Sequence, residues 1–250
     1  MGKPRNWSIL WNRPDIEIHT MPYTPTSTYR IQFSKAFTLE NLKTIIPYLK
    51  RLGIGAVYAS PLFEAVPDST HGYDQVNPQQ INPEIGTLKQ LRQVSHQLRK
   101  SGIGWVQDIV PNHMAFHPAN PWVWDILENG PYATHRQFFD TVFADDTYFS
   151  GRLMLPFLRV PLAEAIKLGE ITLGYDEGRE VFVLNFGGQQ WPVNAAGYAL
   201  VLRQFADDAN IGSVLAAMQS PPTKKSTAAY AKYWQDLRRQ VASLDTERLR

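Results

Sequence analysis

Two stretches of this chain repeat one pattern: LKRLGIGAVYA, from Leu49, and LRKSGIGWVQD, from Leu98. Each joins the basic end of a helix to a glycine and then to a short apolar run, which is how a helix stops and a buried strand begins. Gly53 and Gly102 can take the left-handed conformation that closes a helix, and Lys50, Arg51, Arg99 and Lys100 complement the negative end of its dipole. The glycines precede the strands. A dinucleotide-binding glycine motif, which needs them between a strand and the following helix, is therefore rejected. Upstream of the first echo, Leu42, Ile45, Ile46 and Leu49 recur at helical spacing after an N-cap at Thr38, and Pro47 is expected to kink or restart that helix because it lacks an N–H. Upstream of the second, Leu88, Leu91, Val94 and Leu98 make an apolar stripe. With TYRIQF (Thr28 to Phe33) as a first strand, the order is strand, helix, strand, helix, strand, which favours a parallel sheet with right-handed crossovers.

After Met114 this alternation stops. Residues 115–150 are rich in Pro, Asn, Asp and aromatics. PLAEAIKLGEITLGYDEGREVFVLNF then predicts a short helix from Pro161 and two strands turning at Asp176, Glu177 and Gly178. A helix near 196–217 is followed by the polar QSPPTKKSTAA, and a final helix puts Tyr230, Trp234, Leu237, Val241 and Leu244 on one face, a stripe that reads as core packing. The expected organisation is a leader (1–26), a first strand–helix region (27–114), an inserted mixed α+β subdomain (115–195) and a helical segment (196–250) that breaks off in mid-helix. The leader lacks the apolar core of a signal peptide and no run reaches membrane-spanning length, so no membrane partner and a cytoplasmic location are expected. With no cysteine in the chain, disulfide frameworks and thiolate metal sites are excluded. A net charge of +2 gives no electrostatic case for nucleic acid or an anionic membrane as a partner.

In parallel α/β folds, chemistry collects at the carboxyl ends of the strands. There stands DIVPNHM, with Asp108 late in the third strand and Asn112 and His113 in the loop beyond. The alternative is that Asp108 and Asn112 only tie down a turn. From Ser60 to Gly86 lie 27 residues, far beyond the roughly 2 to 6 usual between a strand and a helix, and loops of that length are usually functional or disordered. Within it, STHGYD places Gly72 between His71 and Tyr73. Tyr73 suits the apolar face of a sugar, with His71 and His113 as donors to hydroxyls, although a satisfied surface tyrosine remains the competing account. His113 and His117 have i, i+4 spacing, but no glutamate lies between them, a proline follows His117 and no third ligand is evident, so no metal site is expected. Asp145 with Asp146 and Asp207 with Asp208 read as solvated. A nucleophile elbow, a P-loop and zinc-finger spacing are all missing.

TYRIQF, YASPLF, STHGYD and DIVPNHM, in that order and at these separations, resemble the opening third of the α-amylase superfamily of (β/α)8 glycosidases. The fold class this implies is α/β: a partial (β/α)8 TIM barrel, the first three βα units, with the inserted mixed α+β subdomain after strand 3. PYLKRLGIGAVYASPLFEAVPDSTHGYDQVNPQQINPEIGT and NPWVWDILENGPYATHRQFFD further resemble the maltooligosyltrehalose synthase family, although ATHRQFFDTVF lacks the tryptophan that family carries soon after the aspartate. The resemblance implies a maltooligosaccharide substrate and no cofactor. Tyr73 would stack on the glucose ring beside the scissile bond, His71 and His113 would bond its hydroxyls, Asp108 would orient the base of that subsite, and Asn112, at a position that binds calcium in many amylases, would brace the loop. Trp122 and Trp124 are candidates for a further sugar platform or for core. None of these breaks the bond: the family takes its catalytic carboxylates from the fourth and fifth strands, and the arginine-x-aspartate strand is not in this sequence. The expectation is an amino-terminal piece of a glucosylmutase, inactive alone. An amylase-like hydrolase or glucanotransferase, and a non-catalytic glycan-binding or partner-binding module, stay open as alternatives.

Overall fold

The computed structural model describes residues 24–140, 158–219 and 226–244. Most of the expected leader, and the Asp145–Asp146 pair, lie outside the described residues. The elements in chain order are β1 (Thr28–Ile31), α1 (Leu39–Arg51), β2 (Ala56–Ala59), β3 (Phe63–Ala65), β4 (Gln75–Ile81), α2 (Leu88–Lys100), β5 (Gly104–Gln107) and α3 (Pro121–Asn129). They continue with α4 (Leu162–Lys167), β6 (Ile171–Asp176), β7 (Val181–Phe186), β8 (Gln189–Pro192), α5 (Ala195–Leu202), α6 (Ala209–Met218) and α7 (Thr227–Ala242). They form two compact units: the described residues up to Leu62 with Pro83–Ile109, and Phe63–Asn82 with the described residues from Val110 onward. No helix among the described residues is long and apolar enough to cross a membrane.

The first unit carries the parallel sheet β1-β2-β5, three strands among the described residues with no ring closed. Its register pairs Arg30 with Tyr58 and Tyr58 with Val106. Both helices begin with reciprocal caps: Asn41 N–H donates to Thr38 Oγ1 while Thr38 N–H donates to Asn41 Oδ1, and Thr87 with Gln90 repeats the arrangement. Both end as the echo predicts, with Gly53 at φ +76 and Gly102 at φ +71. Pro47 does not restart the helix. It lies on the exposed side of an unbroken α1, where the carbonyl left without its N–H partner can be hydrated. Leu39, Leu42, Ile46 and Leu49 of α1, Val94 and Leu98 of α2, and Ile31, Val57 and Ala59 of the sheet are buried, whereas Leu88 at the start of the second stripe is half exposed. The first strand is shorter than TYRIQF: beyond Ile31 the Phe33 N–H donates to the buried Ser60 hydroxyl (2.9 Å) instead of to a ladder carbonyl.

The second unit overturns two expectations. The stretch from Ser60 to Gly86 is not one long loop: β3 and β4 pair as an antiparallel hairpin, Glu64 opposite Asn77 and Phe63 opposite Ile81. The register shift between those pairs falls around Pro78, which cannot donate to a ladder and is confined to edges and bulges. The helix expected near 196–217 is broken into α5, a 3-10 turn at Arg203–Phe205, and α6. Asp208 makes the second start, accepting from Asn210 N–H (2.8 Å) and Ile211 N–H (3.4 Å) as N-cap, so it is not merely solvated. The predicted helix from Pro161 and the two strands turning after Asp176 form, and β8 adds a third antiparallel strand the sequence reading lacked. Trp234, Leu237 and Val241 of α7 pack with Phe182, Tyr198 and Leu202. Tyr198 Oη accepts the buried Phe182 N–H (2.8 Å), and burial pushes the phenol pKa well above its ordinary value. Tyr198→Phe is expected to cost about 1–3 kcal/mol in urea unfolding, because it strands a buried N–H; an unchanged midpoint would refute that bond's importance.

Candidate functional site

Asp108 lies one residue beyond β5 in the first unit, its N–H donating to Ala59 O (2.9 Å). Strand alternation puts its side chain on the face of Val106, whose partner in the register is Tyr58, whose partner is Arg30. Tyr58 Oη accordingly donates to Asp108 Oδ2 (3.1 Å), Arg30 approaches the same oxygen at 3.6 Å, and the Arg30 guanidinium lies over the Tyr58 ring at 4.6 Å. On the opposite face, Gln107 Nε2 donates to Ser60 O (3.0 Å) and its Oε1 accepts from Trp105 Nε1 (3.1 Å), tying the ends of β2 and β5 together. Asp108 is thus held through one carboxylate oxygen by Tyr58 and Arg30. Sequence reading missed Arg30 and Tyr58. Their signal is the alternation within each strand, but it becomes usable only once the register is known.

The remaining predicted residues sit in the second unit, within the β3–β4 hairpin, the loop after β5 and α3. Gly72 N–H donates to Ser69 Oγ (3.1 Å), and Ser69 Oγ bonds the Asp74 carboxylate, so the STHGYD turn is internally braced. The His71 and Tyr73 rings lie 5.9 Å apart, and the Tyr73 N–H donates to His71 Nδ1 (3.0 Å). Asp74 Oδ1 is also 3.7 Å from that nitrogen, but one lone pair cannot accept and donate at once; the shorter contact decides, leaving the Nε2 of a neutral His71 as the proton carrier. His113 has the reverse arrangement. Its Nδ1 lies 3.2 Å from Asn112 Oδ1, an acceptor, a contact that suits the tautomer with its proton on Nδ1. A ring nitrogen left outside these local bonds, whether it donates or accepts, is one that a sugar hydroxyl can satisfy.

Asn120, which the sequence reading did not single out, fastens this loop. It is fully buried, its Oδ1 accepts from Trp122 N–H (3.0 Å) and Val123 N–H (3.3 Å), and its Nδ2 donates to Ala115 O (3.0 Å). The Ala115 N–H in turn donates to Gln75 O of β4 (2.7 Å). Trp122 is enclosed by rings, stacked on His135 at 4.8 Å and tilted against Phe138 at 5.1 Å, while Trp124 lies beneath the Arg179 guanidinium at 4.6 Å. Among the described residues no group of three or more His, Asp or Glu side chains is arranged to hold a metal ion.

Burial lowers the pKa of His117 from 6.5, against a smaller opposing pull from Asp74, and its Nδ1 accepts the Ala119 N–H (3.1 Å). The folded state then binds this proton less readily than the unfolded chain, so the contribution is full above pH 6.5 and is lost as pH falls through the lowered folded value. Urea midpoints should decline on acidification below pH 6.5, and His117→Asn, which keeps an acceptor for Ala119, should flatten part of that decline; identical pH profiles would contradict the assignment.

The family model described as alpha amylase, catalytic domain, matches residues 34–236. A putative maltooligosyl trehalose synthase of Mycobacterium tuberculosis is 36% identical over 145 residues, 55% of this chain and 19% of that protein. The solved maltooligosyltrehalose synthase from Arthrobacter ramosus superposes with a TM-score of 0.58 at 36% identity, over 68% of this chain and 21% of its own. A second crystal structure of a maltooligosyl trehalose synthase gives 0.61 at 32% identity, over 68% and 22%. The chain therefore spans about a fifth of the length of the relatives it matches.

Proposed function

Because the chain belongs to the alpha-amylase catalytic-domain family, we propose that it is the amino-terminal portion of a glucosylmutase that turns the terminal α-1,4 link of maltooligosaccharides into the α,α-1,1 link of trehalose. The observation that carries this reading is the 36% identity to a solved maltooligosyltrehalose synthase sustained over 68% of the chain. In this reading β1, β2 and β5 are the first three strands of a (β/α)8 barrel and residues 115–195 are an insertion. A chain without cysteine suits a reducing cytoplasm, where we place the reaction.

The residues then take distinct roles. Tyr73 offers its ring to the apolar face of a glucose unit, His71 donates to a hydroxyl and His113 accepts from one. Asn112 braces the His113 ring, and within the first unit Asp108, fixed by Tyr58 and Arg30, takes an orienting role. Bond cleavage with retention needs a nucleophilic carboxylate and an acid about 5–5.5 Å apart, which this reading assigns to strands beyond the three present. Capture of the glucosyl unit by the anomeric hydroxyl of the released glucose, with water excluded, is what separates a mutase from a hydrolase.

The test uses the product of the complete gene with maltopentaose as substrate. Maltotriosyl-trehalose is the expected product; maltose and maltotriose would refute the mutase reading in favour of a hydrolase. In the same enzyme, Tyr73→Ala should lower kcat/KM by about tenfold through lost ring stacking, and an unchanged value would remove Tyr73 from the sugar site.

A further inference from the structure

The second unit holds an open cleft of about 480 Å³ lined by Pro118 and Ala119 ahead of α3, Arg179 of the β6–β7 turn, and Asn185, Gly188, Gln189 and Gln190 of the β7–β8 hairpin. This volume is within the range of small-molecule sites, roughly 300–1,000 Å³. We propose that it is an additional carbohydrate site, which takes the hydroxyl rim of a neutral oligosaccharide through three side-chain amides and one guanidinium. The inference rests on the glucan reading above, and it assigns binding to residues that reading leaves unused.

The lining selects the ligand class. A side-chain amide carries a donor and an acceptor side by side, the pairing that adjacent sugar hydroxyls complement; Gln189 offers both, and Asn185, whose Nδ2 also donates to Thr172 Oγ1 (3.4 Å), keeps its second N–H. No carboxylate lines the cleft, and its single cation is already shared with Asp176 Oδ2 at 3.4 Å, so an anion finds little net charge there. No aromatic or large aliphatic side chain lines it either, which argues against an apolar ligand. The groups are also held in advance. The Arg179 guanidinium rests on the Trp124 ring at 4.6 Å, and Gln190 Nε2 donates to Asn185 Oδ1 (3.3 Å), leaving the Gln190 carbonyl oxygen to accept from a ligand. The half-buried Gln189 amide makes no hydrogen bond among the described residues, a polar group ready to be satisfied by a ligand hydroxyl. Pro118 and Ala119 belong to the loop that carries Asn112 and His113.

The test is a nitrogen-15 NMR titration of the 250-residue chain with maltoheptaose, following the side-chain amides of Asn185, Gln189 and Gln190. Saturable shifts of these amides are expected in the native chain and equally in Tyr73→Ala. Gln189→Ala and Asn185→Ala, each with an otherwise superposable spectrum, should weaken that saturation about five- to tenfold. Cleft amides that stay still while the STHGYD resonances move would overturn the cleft site and leave the glucan reading standing. Cleft shifts without any response at STHGYD would support the cleft and count against the Tyr73 assignment. Shifts reproduced in full by glycerol at equal hydroxyl concentration would overturn the oligosaccharide assignment.

Discussion

Asn120→Ala is expected to destabilise the second unit by about 1–3 kcal/mol, combining the loss of a helix N-cap with the loss of the bond to the half-buried Ala115 carbonyl. One side chain makes both sets of bonds. Its Oδ1 takes the two N–H groups at the start of α3, and its Nδ2 closes the bend of the preceding loop onto Ala115 O, in a position with no solvent exposure. Asn120→Ser separates the two contributions, because a serine hydroxyl still caps the helix but has no amide to reach Ala115; it should lose roughly half as much. Equilibrium urea unfolding of both variants measures this. A loss in Asn120→Ala below about 0.5 kcal/mol, the low end for a cap alone, would mean that α3 and its loop are held by something else. Because Ala115 is also bonded to Gln75, amide exchange should quicken from Val110 to Asn120 and on the β4 side of that bond.

Trp234→Ala should cost still more, about 3–5 kcal/mol, as expected for a large aromatic removed from a packed core. The indole is 3% exposed, lies edge-on to Tyr198 at 4.9 Å, and joins α7 to the α5–α6 pair and the β6–β8 sheet. Its Nε1 is buried without a hydrogen-bond partner among the described residues. A phenylalanine therefore sacrifices no polar contact, and Trp234→Phe is expected to lose less than half of what alanine loses. Equal losses in the two variants would show that the indole's role is not volume and ring packing. A sugar platform at this stripe would instead leave stability almost untouched by either change, and thermal unfolding decides between the accounts.

Local chemistry made much of the framework legible in the sequence. The two helix ends at Gly53 and Gly102 could be read because a left-handed residue flanked by basic side chains needs no distant partner to be recognised. The stripe of α7 could be read because a 3.6-residue period reports burial on one face. Failures came where a local signal had two outcomes. Pro47 can break a helix or ride on its wet side, and the solvent exposure that decides is a tertiary property. Asn120 followed by Pro121 is a helix start in the usual pattern, yet it lies in a stretch so rich in Pro, Asn and Asp that the same local signal recurs within a few positions. Asp208 marks the break between α5 and α6, but beside Asp207 its sequence context is equally that of a solvated acidic pair.

Of the candidate site, the sequence by itself determined the residue types and their place at a strand end and in loops: His71, Tyr73, Asp108, Asn112 and His113. Only the tertiary structure decided the partners. Arg30 and Tyr58 meet Asp108 because the parallel register aligns three strands separated by dozens of residues. His71 and His113 each have one ring nitrogen engaged by a neighbour, the Tyr73 N–H for one and the Asn112 amide oxygen for the other. Spacing along a chain can set which side chains share a face, but register and protonation depend on bonds made across the fold, and those have no local signature.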